Sequence, residues 1–284
     1  MRDKIGDFFF DTKKDKEFGE LKMIILKHEL KQNKGAFIIW TAAIGFFILA
    51  CIFLYPEMKN EMDEATKVFA SMGTFSSAFG MDKLNFGTLI GFYAVECGNI
   101  LGIGGAFFAA ISGVTALMKE EKERTAEFLF THPVSRKRVI TEKLISVFVM
   151  IIMMNIIIFC LAVLSMAAIG EKILWTKIFL YHLAQLMMQL EIAGICFGIS
   201  AFISSSGIGI GIGITAAFYF LNLIANISDK ADFLKYITPY GYTDGSDIIN
   251  DKSINVTYLL IGMVFMVVGI VLAYAKYTKK DLKA

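Results

Sequence analysis

The sequence predicts an all-α membrane protein with six transmembrane helices. Hydrophobic residues make up 56% of its 284 residues, charged residues make up only 19%, and the mean hydropathy is +0.61. Apolar blocks of about 20 residues or more recur along the whole chain, which is the length that a helix needs to cross a hydrocarbon core of about 30 Å. Too little polar sequence remains to cover these blocks in a soluble fold. We therefore expect membrane lipid around the chain and no nucleic-acid partner.

The six spans are predicted at residues 35–55, 86–118, 139–169, 178–202, 207–227 and 254–275. They form a transmembrane domain over 35–275, between a cytoplasmic segment (1–34) and a cytoplasmic basic tail (276–284). The first span is expected to end at Pro56. The second would be about 50 Å long as a straight helix, so we expect it to tilt, to project into the cytoplasm, or to break at its glycines, which are Gly102, Gly104 and Gly105.

Two segments outside the spans have an amphipathic pattern. From Phe18 to Lys31, apolar residues recur at helical spacing against a basic face, which predicts a cytoplasmic helix on the membrane surface. A plain solvated segment is the alternative. On the other side of the membrane, residues 57–85 predict short interfacial helices that lie flat, from the helical spacing of five apolar residues: Val68, Phe69, Met72, Phe75 and Phe79.

The densely charged segment Lys119–Arg138 separates spans two and three. Residues 120–130 are helix formers, and Pro133 disfavours the α conformation of the residue before it, so a helix of about three turns should end near Thr131. The basic residues 136–138 then stand where a membrane helix meets anionic headgroups. The pattern predicts a short cytoplasmic helix, joined to a span at each end, with an apolar patch that a soluble partner can grip.

Basic residues indicate the orientation of the spans. Of the 28 Lys and Arg residues, nine lie in the N-terminal segment, seven in Lys119–Lys143 and four at the C-terminus. The loops on the opposite side hold the remaining eight, together with an acidic excess. Because cytoplasmic loops of membrane proteins are enriched in Lys and Arg, both termini are predicted to be cytoplasmic, in the cell membrane.

Small residues in the spans favour close helix packing. Span five opens with two overlapping G-x-x-x-G pairs, formed by Gly207, Gly209, Gly211 and Gly213, and follows span four after only a three-serine link, Ser204–Ser206. The pairs predict either dimerisation or packing against span four. The four cysteines lie in apolar blocks without C-x-x-C pairing and are interpreted as packing residues, with a Cys51–Cys97 disulfide as the alternative.

Polar residues inside the spans are candidates for a substrate path. A carboxyl group in hydrocarbon is costly and usually faces the bundle interior or a water-filled cavity. The candidates are Glu96, Asn99, Asn155, Gln189 and Glu191. The alternative is that these residues, with Asn222, hold helices together by hydrogen bonds.

The segment K-E-E-K-E-R-T-A-E-F-L-F-T-H-P-V-S-R-K-R-V-I-T-E-K-L resembles the signature of ABC-2 type permeases, the membrane subunits of ABC exporters. The stretches Lys27–Leu30, Tyr55–Pro56, Gly91–Tyr93 and Lys235–Pro239 are also similar to that family, although Arg124 stands where many members have Gly. The resemblance implies that residues 120–131 form a coupling helix that docks on an ATP-binding subunit. Its residues include Glu120, Glu121, Glu123, Arg124, Thr125, Glu127, Phe128, Leu129 and Phe130.

The resemblance also implies that two six-span subunits, identical or different, form the export path. The expected cargo is an amphipathic or hydrophobic compound such as a peptide antibiotic, a drug or a lipid. No G-x-x-x-x-G-K-[ST], no H-E-x-x-H and no Cys/His cluster occurs in the sequence, so ATP hydrolysis is expected on a separate polypeptide, and no cofactor is expected on this chain. The alternatives are a membrane sensor or scaffold that recruits a cytoplasmic partner, and an intramembrane enzyme, for which no catalytic arrangement is evident.

Overall fold

The computed structural model of the protein describes residues 24–119, 135–203 and 207–279. All regular elements in these ranges are helical, and six helices are long and apolar enough to cross a membrane. The predicted all-α fold with six spans is therefore confirmed. The α-helices are α1 (Ile24–Gln32), α2 (Lys34–Ser71), α3 (Thr74–Ala78), α4 (Leu89–Phe92), α5 (Gly98–Thr115), α6 (Arg136–Ala168), α7 (Trp175–Ser200), α8 (Ile208–Ile227), α9 (Gly245–Asp251) and α10 (Val256–Tyr277).

Part of α2 and six other α-helices make up the six spans. Span 1 is the Lys34–Lys59 part of α2, and span 2 is Leu89–Thr115, in which a π-helical turn at Tyr93–Cys97 joins α4 to α5. Spans 3, 4, 5 and 6 are α6, α7, α8 and α10. Four predicted features lie wholly or partly outside the described residues: the amphipathic helix before Ile24, the coupling helix at 120–131, the Ser204–Ser206 link and the tail from residue 280.

The helix of span 1 does not end at Pro56, because α2 continues through this residue to Ser71. Proline has a helical φ, but it lacks the N–H that would bond to the Ile52 carbonyl and its ring crowds that carbonyl, so contacts elsewhere must offset the cost. The residues that follow include good helix formers, and the far part of α2 is held by packing of Phe69 against Phe86, with ring centroids 5.1 Å apart. Residues 57–71 are thus an extension of span 1 rather than a separate helix, and α3 is the short helix of this region.

Span 2 does not break at Gly102, Gly104 or Gly105, which all lie within α5. Its irregular part is the π-helical turn nearer its start. The glycines serve packing instead, because a Cβ on Gly105 would overlap the Gln189 amide, and one on Gly102 would lie 3.2 Å from Gln185 Oε1. The polar side chains of Gln185 and Gln189 in span 4 therefore pack directly against the glycine backbone of span 2.

Span 4 lies at the centre of the bundle, where it packs against spans 2, 3 and 6. It is the most buried span, and span 6 is the least buried. The outward surfaces of spans 1, 5 and 6 carry large exposed apolar side chains, including Phe46, Phe220 and Val264. Such surfaces are stable against lipid or against another apolar subunit, as expected for a multi-pass membrane protein.

The G-x-x-x-G pairs of span 5 have two different environments. A Cβ on Gly211 would lie 3.0 Å from Val114 Cγ1 of span 2, so the Gly207–Gly211 pair packs on span 2, which is neither of the two predicted alternatives, dimerisation or packing against span 4. Gly209 and Gly213 have no atom within 4 Å of a Cβ position among the described residues. All four cysteines are free thiols, so the alternative of a Cys51–Cys97 disulfide is wrong.

The segment between spans 5 and 6 folds back into the bundle. We call residues 238–246 the re-entrant segment. Thr238 Oγ1 donates to the Phe218 carbonyl at 2.8 Å, and Tyr240 Oη donates to the Gly102 carbonyl at 3.5 Å, and both acceptors lie well inside spans. Tyr240 and Tyr242 are buried. The sequence indicated only a polar loop here, because Tyr can pack in a core as well as face water.

A prediction on stability follows from the crossing of spans 4 and 6. A Cβ on Gly198 would lie 2.6 Å from the Gly269 carbonyl oxygen, which belongs to backbone and cannot rotate away. We expect Gly198→Ala to lower the free energy of unfolding by about 1–3 kcal/mol, as overpacking usually does. The control is Gly209→Ala, which meets open space and should leave the midpoint of thermal unfolding in detergent unchanged or slightly higher. Equal midpoints for the two variants would contradict this packing.

Candidate functional site

A charged cluster binds α1 to spans 2 and 3 at the end of the bundle where α1 lies. Lys143 Nζ is 2.7 Å from Glu29 Oε1, and the two side chains are only 1% and 6% exposed. The same ammonium donates to the Ala116 carbonyl at 2.9 Å, just after the last turn of α5. A cation at this position also favours the negative end of the α5 helix dipole. One side chain of span 3 thus holds both α1 and the end of span 2.

Glu142 adds a second connection beside the first. Its carboxylate accepts the Leu26 backbone N–H of α1 at 3.0 Å and Arg138 Nε at 2.7 Å. Because both bonds join a charged acceptor to a well-aligned donor, they belong to the stronger hydrogen bonds of proteins. We call Glu29, Arg138, Glu142 and Lys143 the Lys143 cluster. The sequence does not indicate these contacts, because they join residues up to 116 positions apart.

Described residues on the two sides of the predicted coupling helix, Lys119 and Ser135, each make a hydrogen bond close to the Lys143 cluster. On the entry side, Lys119 Nζ donates to Asn33 Oδ1 at 3.4 Å. On the exit side, Ser135 caps α6 by accepting the Arg138 N–H at 3.3 Å, as an N-cap residue does. The coupling helix itself, with residues 120, 121, 123–125 and 127–130, lies outside the described residues. Its two supports are therefore described, and its predicted docking surface stays a prediction.

The candidate path residues do not gather at one place. Asn155 Nδ2 donates to Gln189 Oε1 at 2.7 Å, and Gln189 Nε2 donates to the Leu101 carbonyl at 3.3 Å. These bonds join spans 2, 3 and 4, so they fit the alternative in which polar residues hold helices together. Glu96 is exposed on the surface of span 2, and Asn99 bonds to the Val95 carbonyl of its own helix.

Glu191 differs from the other candidates because it is a completely buried carboxyl group. It is 0% exposed, and neither carboxyl oxygen has a hydrogen-bond partner among the described residues. The carboxyl group occupies space left by Gly262 of span 6, where a Cβ would overlap it. A buried carboxyl without a partner is costly, so it favours a functional role over a role in holding helices together.

Tyr242 of the re-entrant segment lies beside Glu191. Burial raises the pKa of Tyr242 well above its usual range, and the nearby Glu191 raises it further. The phenol therefore stays neutral and keeps its O–H, although this hydroxyl makes no hydrogen bond of ordinary geometry with the described residues. The re-entrant segment and span 4 thus bring two buried, unsatisfied polar groups together deep in the bundle.

A polar cavity of about 60 Å³ lies between spans 2, 4 and 5 and the re-entrant segment. We call it the Gln185 cavity. Its polar lining consists of Asn99, Tyr181, Gln185, Tyr219, Asn222, Asn226, Tyr240, Thr243 and Asp244. It is smaller than the about 300–1,000 Å³ of pockets that enclose a drug-sized molecule, so it suits a small group. The sequence analysis missed Gln185, although Tyr181, Gln185 and Gln189 recur every four residues as a polar stripe.

Glu191→Gln separates the two interpretations of Glu191. Because glutamine has nearly the same shape and removes a buried carboxyl that makes no hydrogen bond of ordinary geometry with the described residues, we expect the thermal midpoint to stay unchanged or rise. We expect export to fall if the carboxyl lies on the path. The measurements are thermal unfolding of the purified protein and transport in vesicles. A lower midpoint with normal export would favour a role in holding helices together.

Comparison with known proteins agrees with the six-span architecture. The model of a family described as ABC-2 family transporter protein matches residues 23–282, which is most of the chain. Among curated proteins, no match is found. Within the described ranges, no group of three or more His, Cys, Asp or Glu side chains is placed to hold a metal ion.

Proposed function

Because this chain belongs to the ABC-2 transporter family, we propose that it is the permease subunit of an exporter driven by a separate ATP-binding subunit. Members of this family generally work with such a subunit and dimerise. In the proposed complex, the ATP-binding subunit docks on residues 120–131, and a second permease subunit, identical or different, completes the path. The cargo is an amphipathic or hydrophobic compound that moves outward across the cell membrane.

The observation that carries the proposal is the match to the family over residues 23–282, which includes both supports of the coupling helix. The Lys143 cluster explains how movement there reaches the bundle. A push on residues 120–131 acts on Ala116 at one end and on Ser135 at the other. Lys143 bonds to the Ala116 carbonyl and pairs with Glu29, so spans 2 and 3 and α1 move together. Alternating access needs rigid connections of this kind.

The proposed orientation places α1 and the Lys143 cluster in the cytoplasm. Arg136 donates to the Tyr277 carbonyl at 3.4 Å, so the start of span 3 and the end of span 6 lie at the same end of the bundle as α1. At the far end, Lys59 pairs with Glu171 at 2.6 Å. The larger share of basic residues lies at the α1 end, which the positive-inside rule assigns to the cytoplasm.

Copurification with an ATP-binding subunit tests the proposed function. The chain would be expressed with a candidate ATP-binding subunit, such as one encoded by an adjacent gene, and purified through a tag on the chain. The complex would be assayed for ATP-dependent uptake of candidate compounds into inverted vesicles. We expect a stable complex and ATP-dependent transport. A chain that binds a cytoplasmic protein without any ATP-dependent transport would favour the sensor or scaffold alternative.

Single cysteines test the proposed orientation. In a background without the four native cysteines, Lys67→Cys and Asp251→Cys should react with an impermeant thiol reagent in intact cells, because both positions are exposed at the far end. The control is Lys137→Cys, which is exposed at the α1 end and should react only after the membrane is opened. Labelling of Lys137→Cys in intact cells would reverse the orientation.

A further inference from the structure

We propose that the Gln185 cavity binds the primary ammonium group of an amphipathic amine. The first observation is Gln185 Oε1, which lines the cavity and has no hydrogen-bond partner among the described residues. The residue is only 3% exposed. A buried acceptor without a donor is costly, so a ligand that supplies an N–H at this place gains the full strength of the bond.

The second observation is the charge of the cavity. Asp244 lines it, and no Lys or Arg does. Its carboxylate accepts the Ser246 N–H at 2.9 Å, the Ser246 hydroxyl at 2.8 Å and Asn226 Nδ2 at 3.0 Å. These donors are neutral, so they hold the carboxylate in place without cancelling its charge. Lys235, which lies near enough to sense Asp244, is itself paired with Asp232 at 2.9 Å and does not line the cavity.

The third observation is the aromatic wall. Tyr181, Tyr219 and Tyr240 line the cavity, and the ring centroids of Tyr219 and Tyr240 are 5.5 Å apart. The face of a tyrosine ring attracts cations, more strongly where water is excluded. Carboxylate, amide oxygen and aromatic faces together favour a cation that also donates hydrogen bonds. A primary ammonium has both properties, whereas a quaternary ammonium has only the first.

Size and lining also restrict the ligand. The volume of about 60 Å³ exceeds the minimum of about 10–15 Å³ for one water molecule, but it does not enclose a drug-sized molecule. Phe79, Ile103 and Leu223 line the same cavity and offer apolar contact to the carbon chain next to the ammonium. The headgroup would therefore enter and the rest of the molecule would stay outside. Binding of an amine at this site does not depend on the proposed function. The inference rests on the proposed function only in treating the amine as a transported compound.

Binding of radiolabelled methylammonium to the purified full-length chain tests the site without the ATP-binding subunit. The protein would be placed in nanodiscs of phosphatidylcholine and phosphatidylglycerol, and binding measured by equilibrium dialysis. We expect saturable binding that ethylammonium displaces and tetramethylammonium does not. If methylammonium binds but export fails, the proposed function is rejected and the proposed site stands. If export is normal but methylammonium does not bind, the proposed site alone is rejected.

Two variants at one position and a control sharpen the test. Gln185→Met removes the free acceptor at similar size and should weaken methylammonium binding by about tenfold or more, as expected for a lost hydrogen bond to a charged group. Gln185→Glu adds a carboxylate and should tighten it. Ser165→Ala removes another buried polar group, one that bonds only within span 3, and should leave binding unchanged. Size-exclusion profiles identical to that of the unaltered protein show that each variant is folded.

Lipid composition distinguishes two sources of the ammonium group. Phosphatidylethanolamine carries a primary ammonium, so nanodiscs that contain it should compete with methylammonium if a lipid headgroup occupies the cavity. Unchanged binding in those nanodiscs would assign the site to a soluble or transported amine. Absence of saturable binding in either lipid, or equal binding by Gln185→Met and the unaltered chain, would overturn the proposal.

Discussion

Lys143→Met is expected to destabilise the protein by about 3–5 kcal/mol, the usual effect of removing one partner of a buried ion pair. Lys143 and Glu29 are almost completely buried, and their charged groups are 2.7 Å apart. Methionine fills a similar volume but leaves the Glu29 carboxylate without its cation in a place that water hardly reaches. The Ala116 carbonyl loses its donor as well. Thermal unfolding of the purified protein should show a large drop in the midpoint.

The matched control is Lys137→Met, on the same helix. Lys137 is exposed, and exposed charges contribute about 0–1 kcal/mol, so its midpoint should hardly change. Exchange of the charges in Glu29→Lys with Lys143→Glu should recover part of the lost stability, because the pair is restored in reverse. If Lys143→Met and Lys137→Met gave the same midpoint, the Lys143 cluster would not hold α1 in solution.

Leu129→Asp is expected to abolish copurification with the ATP-binding subunit and ATP-dependent export. In the proposed complex, Phe128, Leu129 and Phe130 enter a groove of that subunit. An apolar anchor at the centre of an interface contributes about 2 kcal/mol or more, and aspartate would also leave an unpaired carboxylate in the groove. Membrane insertion should be normal because the six spans are unaltered. Pull-down with a tagged ATP-binding subunit measures the effect.

Two further variants show whether the apolar face of the coupling helix is responsible for binding the ATP-binding subunit. Leu129→Met keeps an apolar side chain of similar size and should bind normally. Glu121→Lys changes only a charge at the rim of the proposed interface, so it should reduce binding mildly and in a salt-dependent way. If the helix only rests on lipid headgroups, Leu129→Asp will still bind the ATP-binding subunit. Normal binding and normal export in that variant would refute the coupling helix.

A candidate site residue could be predicted from the sequence where its side chain alone is costly to place in a membrane span. Glu191 was predicted from its position alone, because a carboxyl group in an apolar helix needs a reason to be there. Asn155 and Gln189 were predicted equally well as candidates, but only the fold revealed that they bond to each other. Gln185 and Asp244 were missed, since neither is unusual by itself. Their importance comes from a shared cavity, which five separate parts of the chain build.

Hydropathy and charge determined the number of spans and their approximate bounds, because apolar length and the need to satisfy backbone hydrogen bonds act locally along the chain. They also predicted a docking segment at Lys119–Arg138, because its charge pattern is local. Only the tertiary structure decided that α2 passes Pro56, that Tyr242 reaches Glu191 and that Lys143 holds both Glu29 and Ala116. Contacts between distant segments depend on how the helices pack against one another. A sequence pattern indicates which face of a helix is apolar, but it does not indicate which other helix packs on that face.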